Sequence, residues 1–69
     1  MNSNQIAQIK AAAKTAGCKV RDGAALMICS PKFTFIGSSA YSIANEGLFV
    51  RETQQRINDA ETIISMINS

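Results

Sequence analysis

Carboxylates are the first side chains to consider for chemistry in this sequence, because its 69 residues include no histidine. A histidine general base, a histidine-activated nucleophile and a histidine metal ligand are therefore excluded. Two carboxylates share acid–base work only where they converge on a substrate in a concave site. Glu52 and Asp59 lie on one face of a predicted helix, with Arg56 between them at spacings of four and three residues. This spacing is typical of surface ion pairs worth a few tenths of a kcal/mol each, so we predict a non-enzymatic protein.

The two cysteines do not form a metal-binding or redox motif. Ten residues separate Cys18 from Cys29, which is neither a CxxC pair nor the density of a disulfide scaffold. Cys18 directly follows a predicted helix, whose negative C-terminal end disfavours a thiolate, so we expect a small core side chain there. The four glycines are scattered, one at each predicted element boundary, and form no phosphate-binding loop. We therefore expect free thiols, no metal and no cofactor.

Size and composition predict one small domain covering residues 1–69. The chain has a mass of 7.4 kDa, with 46% apolar and 17% charged residues. This composition is typical of globular proteins, and folding a chain of this length buries only about 60% of its surface. The first residues lack the basic and apolar regions of a signal peptide, and no apolar run is long enough to span a membrane. The sequence thus predicts a cytoplasmic protein with a thin core and no membrane association.

Helical periodicity predicts the first element. Asn2 or Ser3 is a suitable N-cap, and apolar residues then recur at helical spacing. Gly17 suits the left-handed position that follows a helix. We therefore predict a helix over residues 4–16.

The Asp22-Gly23 pair between two β-prone runs predicts a hairpin. A two-residue type I′ loop would pair Arg21 with Ala24, whereas a three-residue loop with a glycine bulge would pair Val20 with Ala24. We favour the second register because register follows the hydrophobic pattern. That register collects these apolar side chains on one face: Cys18, Val20, Leu26 and Ile28.

The second half of the chain predicts one strand and two helices. Residues 33–36 form an aromatic and β-branched run that Gly37 stops, and a short serine-capped helix follows, ended by Gly47. From about residue 50 to residue 67, apolar residues occupy one helical arc, with Phe49 at its start. We expect Ile57, Ile63 and Ile64 of this arc to form the centre of the core against the sheet. The predicted fold is therefore α+β, in the order α-β-β-β-α-α, with a short antiparallel meander and a long C-terminal amphipathic helix.

The opening stretch resembles the α-β-β start of the small docking domains found at the ends of modular synthetase subunits. The resemblance is carried by a helix ending in Ala16-Gly17, a strand, the Asp22-Gly23 turn, a second strand and Ser30-Pro31-Lys32. It covers less than half of the chain, and the run over residues 33–36 departs from it. The resemblance implies binding to another protein rather than catalysis.

A lone domain without these catalytic and cofactor motifs must act by presenting a surface. We expect a protein-binding module that regulates or inhibits a larger protein. The alternative is a weakly basic nucleic-acid-binding accessory protein, because most cations precede Gly37. Its candidate patch consists of Lys10, Lys14, Lys19, Arg21 and Lys32.

The charge distribution and the broad apolar arc of the last predicted helix favour a homodimer. A basic first half can pair with an acidic last helix across a two-fold axis, and a partner chain would cover the arc. Aromatic residues, methionine and arginine are enriched in such interfaces. The interface candidates are Met27, on the hairpin face opposite the apolar one, and Phe49, Arg56 and Met66.

Overall fold

A computed structural model describes residues 1–69 as three helices and one five-stranded antiparallel sheet. In chain order the elements are α1 (Ser3–Thr15), β1 (Lys19–Asp22), β2 (Leu26–Cys29), β3 (Thr34–Gly37), α2 (Ala40–Glu46), β4 (Leu48–Val50), β5 (Gln55–Ile57) and α3 (Ala60–Ile67). Each strand pairs with the next one along the chain, so the sheet is a meander. The predicted α+β class is confirmed, but two strands that we did not predict, β4 and β5, lie between α2 and α3.

The ends of α1 follow the local signals in the sequence. Asn2 is the N-cap and forms a capping box with Gln5, in which each side chain accepts from the other residue's backbone N–H. At the other end, Gly17 has a φ of 80°, and the Cys18 N–H donates to the Ala13 carbonyl at 2.9 Å, which is the bond of a Schellman motif. The predicted helix is confirmed to within one residue at each end.

The β1–β2 register differs from both predicted registers. Val20 pairs with Ile28 rather than with Ala24, and residues 23–25 form the loop. In the bulged register Ile28 would lie opposite Ala16, which already caps the C-terminus of α1. The observed register instead gives Ile28 a strand partner. Because the partner of Val20 shifts by an even number of residues, the predicted faces of Val20 and Ile28 are unchanged.

The predicted helix over residues 50–67 is wrong in its first half. The only helix in that stretch is α3, which begins at Ala60. Between Val50 and Ile57 the chain contains no apolar residue, so a helix there would bury little surface. As a hairpin, the same stretch lets Val50 be fully buried while β4 pairs with β3. Burial of the strand therefore outweighs the helical periodicity.

The end of α2 requires a glycine because the chain approaches itself closely there. Gly47 has a φ of 79°, and a Cβ at this position would lie 2.6 Å from the carbonyl carbon of Ile57. Beside it, the Met1 ammonium donates to the Ala44 carbonyl at 2.6 Å and to Asn58 Oδ1 at 3.1 Å. These contacts join the start of α1, the end of α2 and the end of β5.

All three helices pack on one side of the sheet, which we call the inner face. The core combines side chains from the helices and the inner face: Ile9, Ala13, Leu26, Ile28, Phe35, Ile43, Leu48, Val50, Ala60, Ile63 and Ile67. Ile57, Ile63 and Ile64 were the expected centre of the core. Ile63 is fully buried, whereas Ile57 and Ile64 are half-buried at its margin. None of the helices has the length and apolar character needed to cross a membrane.

Candidate interaction surface on the outer face of the sheet

The side of the sheet opposite the helices, the outer face, carries one residue from each strand in a single cross-strand row. Arg21 pairs with Met27, Met27 with Ile36, Ile36 with Phe49, and Phe49 with Arg56. Since successive side chains of a strand point to opposite faces, these five residues lie on the face that does not carry Ile28, Phe35 and Val50. We call them the outer row.

The centre of the outer row is apolar and is not part of the core. Met27, Ile36 and Phe49 are half-buried, yet none of the three is among the apolar residues that pack against the core cluster. At one end of the row, the Arg56 guanidinium carbon lies 5.8 Å from the centroid of the Phe49 ring, within the range of a cation–π contact. The row therefore presents an apolar strip with an arginine at each end.

A second set of outer-face residues flanks this strip. Lys19 pairs with Cys29 and Cys29 with Thr34, while the Arg51 N–H donates to the Thr34 carbonyl at 3.1 Å and extends the β3–β4 ladder. Cys29 is exposed and its thiol is free. An open depression of about 420 Å³ at the β1 edge is lined by Lys19, Val20, Arg21, Met27 and Cys29.

Glu52 anchors the β4–β5 turn to β3. Its carboxylate accepts from the Thr34 backbone N–H at 2.6 Å and from the Thr34 hydroxyl at 3.0 Å. The backbone hydrogen bond from Thr34 holds the pKa of Glu52 below its ordinary value of 4.5, and the nearby charge of Arg51 acts in the same direction. Glu52 is therefore not part of the predicted helical ladder with Arg56 and Asp59, because residues 51–54 form a turn.

Charge is segregated between the two sides of the molecule. The outer face and its margin carry four cations, Lys19, Arg21, Arg51 and Arg56, and one carboxylate, Glu52. The helix side carries two lysines, Lys10 and Lys14, and four carboxylates, Asp22, Glu46, Asp59 and Glu61. Each side takes charged residues from both halves of the chain, so this division between faces differs from the basic first half and acidic second half of the sequence. Lys32 lies in the β2–β3 turn.

Three of the four predicted interface residues lie together. Met27, Phe49 and Arg56 are consecutive or near neighbours in the outer row, whereas Met66 lies on α3 and packs against the core from the helix side. The sequence reasoning missed Ile36, which completes the strip. Its signal was the alternation in β3, where the fully buried Phe35 leaves Ile36 on the opposite face.

The predicted nucleic-acid patch is divided by the fold. Lys19 and Arg21 lie on the outer face, while Lys10 and Lys14 are on α1 and Lys32 is in the β2–β3 turn. Lys10 donates to Asp22 at 2.7 Å, in the one ion pair of the structure. Only two of the five residues therefore share a surface with the outer row.

The chain shows no cluster of three or more cysteine, aspartate or glutamate side chains that could hold a metal ion. Comparison with family models, curated proteins and solved structures finds no match to this chain.

Proposed function

We propose that this chain is a small non-enzymatic protein-binding module that regulates or inhibits a larger protein through its outer face. The observation that carries the proposal is the in-register row in which Met27, Ile36 and Phe49 form an apolar strip apart from the core. Methionine, phenylalanine and arginine are the residue types enriched at the centres of protein interfaces. The strip and its terminal arginines match that composition.

The experiment compares two aromatic-to-glutamate variants in a capture assay from a lysate of the native host. Phe49→Glu places a carboxylate within the strip. Tyr41→Glu is the matched control, because Tyr41 is 81% exposed on α2, on the other side of the molecule. We expect a protein that the wild-type chain and Tyr41→Glu retain but Phe49→Glu does not. Arg56→Glu, at an exposed position, repeats the test without altering a half-buried residue.

Two results would contradict this function. The first is a captured protein that is lost with Tyr41→Glu and kept with Phe49→Glu. The second is capture that disappears after nuclease treatment, since the retained species would then be bound through nucleic acid. Thermal unfolding of each variant tests whether the variant is folded, so that loss of capture by a folded variant can be attributed to the altered face.

Nucleic-acid binding is the second candidate function. The observation in its favour is that the Arg56 guanidinium lies 5.8 Å from the centroid of the half-buried Phe49 ring, on a face that carries further cations. Aromatic rings next to arginine accept stacked bases. Binding of this kind weakens steeply as salt rises. A titration of a single-stranded and a duplex oligonucleotide at two salt concentrations tests this candidate, and a lack of salt-dependent binding would contradict it.

A further inference from the structure

The spacing of the outer row matches the pitch of an α-helix. Neighbouring strands are about 4.8 Å apart, so the row of five residues spans about 19 Å. One helical turn advances about 5.4 Å, so a helix crossing the strands can present an apolar residue to each of Met27, Ile36 and Phe49. In an extended chain, residues on one face recur every 6.6 Å or so, which does not match the strand spacing. The row therefore favours a helical occupant over an extended one.

The charge of the face indicates the chemistry of that occupant. Arg21 and Arg56 stand at opposite ends of the strip, and Lys19 and Arg51 add positive charge beside it. A second copy of this chain stacked through the same face would bring cations against cations. A partner helix with carboxylates beyond each end of an apolar stripe would neutralise both arginines, and such complementarity sets partner choice.

The edges of the sheet are poor alternatives for docking. β1 presents Lys19, Arg21 and Asp22 along its four residues, and β5 has only three residues. Charged side chains and short length are the features that prevent an edge strand from pairing with another chain. The outer face is therefore better suited than either edge to receive a partner.

We propose that the outer face binds an acidic amphipathic helix of a partner protein, laid across the five strands. This proposal rests on the proposed protein-binding function and adds the chemical class of the partner. Three apolar residues of the helix contact Met27, Ile36 and Phe49, and its terminal carboxylates pair with Arg21 and Arg56.

A pair of synthetic helical peptides tests the proposal with the full chain. Each has about 14 residues, the length that covers the row, with apolar residues at i, i+4 and i+7. One carries glutamate at both ends and the other carries lysine in the same places. Fluorescence anisotropy should show that the acidic peptide binds the wild-type chain and the basic peptide does not. The double variant Arg21→Glu/Arg56→Glu should bind the acidic peptide about tenfold more weakly and gain affinity for the basic one.

Tyr41→Glu is again the matched control and should leave the affinity for the acidic peptide unchanged. If neither peptide binds, or both bind equally, the acidic-helix proposal is wrong, while face-dependent capture of a protein would leave the broader function standing. If a single-stranded oligonucleotide or an anionic lipid vesicle binds the outer face and the acidic peptide does not, the acidic-helix proposal fails. If in addition no protein is captured through that face, the protein-binding function fails as well. A mass of about twice 7.4 kDa that is lost in Phe49→Glu would show a second copy on this face and would also overturn the helix proposal.

Discussion

Replacing Gly47 with alanine should disrupt the junction between α2, β4 and β5. With a φ of 79° and a ψ of −155°, Gly47 occupies a backbone region that is essentially restricted to glycine, and a side chain there costs about 1–3 kcal/mol. The added Cβ would also lie 2.5 Å from Asn58 Cα and would overlap the Ile57 carbonyl oxygen. Relieving such an overlap costs about 1–3 kcal/mol more. The expected loss is therefore about 2–6 kcal/mol.

This loss is large for a chain of 69 residues, whose total free energy of unfolding is about 3–10 kcal/mol. Urea and thermal unfolding, followed by circular dichroism, measure the change. A loss of 1 kcal/mol lowers the Tm of a domain this small by about 4–8 °C. Gly47→Ala should therefore lower the Tm by more than about 8 °C or leave the chain unfolded at room temperature.

Two other glycines supply matched controls. Gly17 also has a positive φ, of 80°, but a Cβ there would meet nothing within 4 Å, so Gly17→Ala should cost only the backbone term of about 1–2 kcal/mol. Gly23 has neither a positive φ nor a close neighbour, so Gly23→Ala should be neutral or up to about 1 kcal/mol stabilising. If Gly47→Ala unfolded at the same temperature as Gly23→Ala, the close approach of β5 to α2 would be refuted.

Three further predictions concern other parts of the fold. Ile63→Ala, at a fully buried position, should lower the free energy of unfolding measured in urea by about 2–5 kcal/mol. Ile64→Ala, at a half-buried position, should lower it by less. Equal losses in the two variants would contradict the assigned face of α3. Asp22→Asn should lower the free energy of unfolding by less than about 1 kcal/mol, because the side chains of Lys10 and Asp22 are 29% and 54% exposed. A larger loss would show that the ion pair is shielded from solvent more than these exposures indicate. Glu52→Gln tests the lowered pKa of Glu52: the ionised carboxylate stabilises the fold above its unfolded-state pKa, and this contribution disappears as pH falls through the lower folded-state pKa. The urea midpoint of wild type should therefore exceed that of the variant at pH 7, and the two should converge as pH falls through the lowered folded-state pKa of Glu52. A difference independent of pH would contradict the Thr34 hydrogen bonds.

The elements that the sequence predicted correctly are those with local signals. The capping residues of α1 lie next to it in the chain, and Gly17 can be recognised from position alone. The same is true of α2, which Ser39 caps and Gly47 ends, and of β3, which Gly37 stops. Each of these boundaries depends on residues within a few positions of one another, so a reading of the chain suffices.

The elements that the sequence did not predict depend on contacts between residues that are distant in the chain. β4 is only three residues long, too short for its alternation to be distinguished from one turn of a helix. Its position depends on pairing with β3 and on the carboxylate of Glu52, which binds Thr34 eighteen residues earlier. The β1–β2 register likewise depends on where α1 ends, rather than on the loop residues alone.

Composition predicted more of the candidate surface than secondary structure did. Phe49 and Arg56 were placed at one helix, on reasoning that the structure contradicts, yet they lie side by side as a strand pair. Both remain interface candidates, because aromatic residues and arginine favour interfaces in any secondary structure. Ile36, which pairs with Met27 in the strip, could not be identified from residue type, because isoleucine is also a common core residue.

The outer row exists only if four strand pairings are all in register. A slip of one residue in any pair would turn that strand's outer side chain toward the helices and replace it with a core residue. Of the four pairings, the one between Phe49 and Arg56 can slip most easily, because β5 is short and is joined to β4 by a polar turn. Gly47 limits it by letting the backbone at Ile57 approach the end of α2, and Glu52 limits it by fixing the turn to Thr34. The residues that stabilise the β4–β5 hairpin therefore also determine whether Arg56 stands at the end of the apolar strip, and so whether the face carries a cation at both ends.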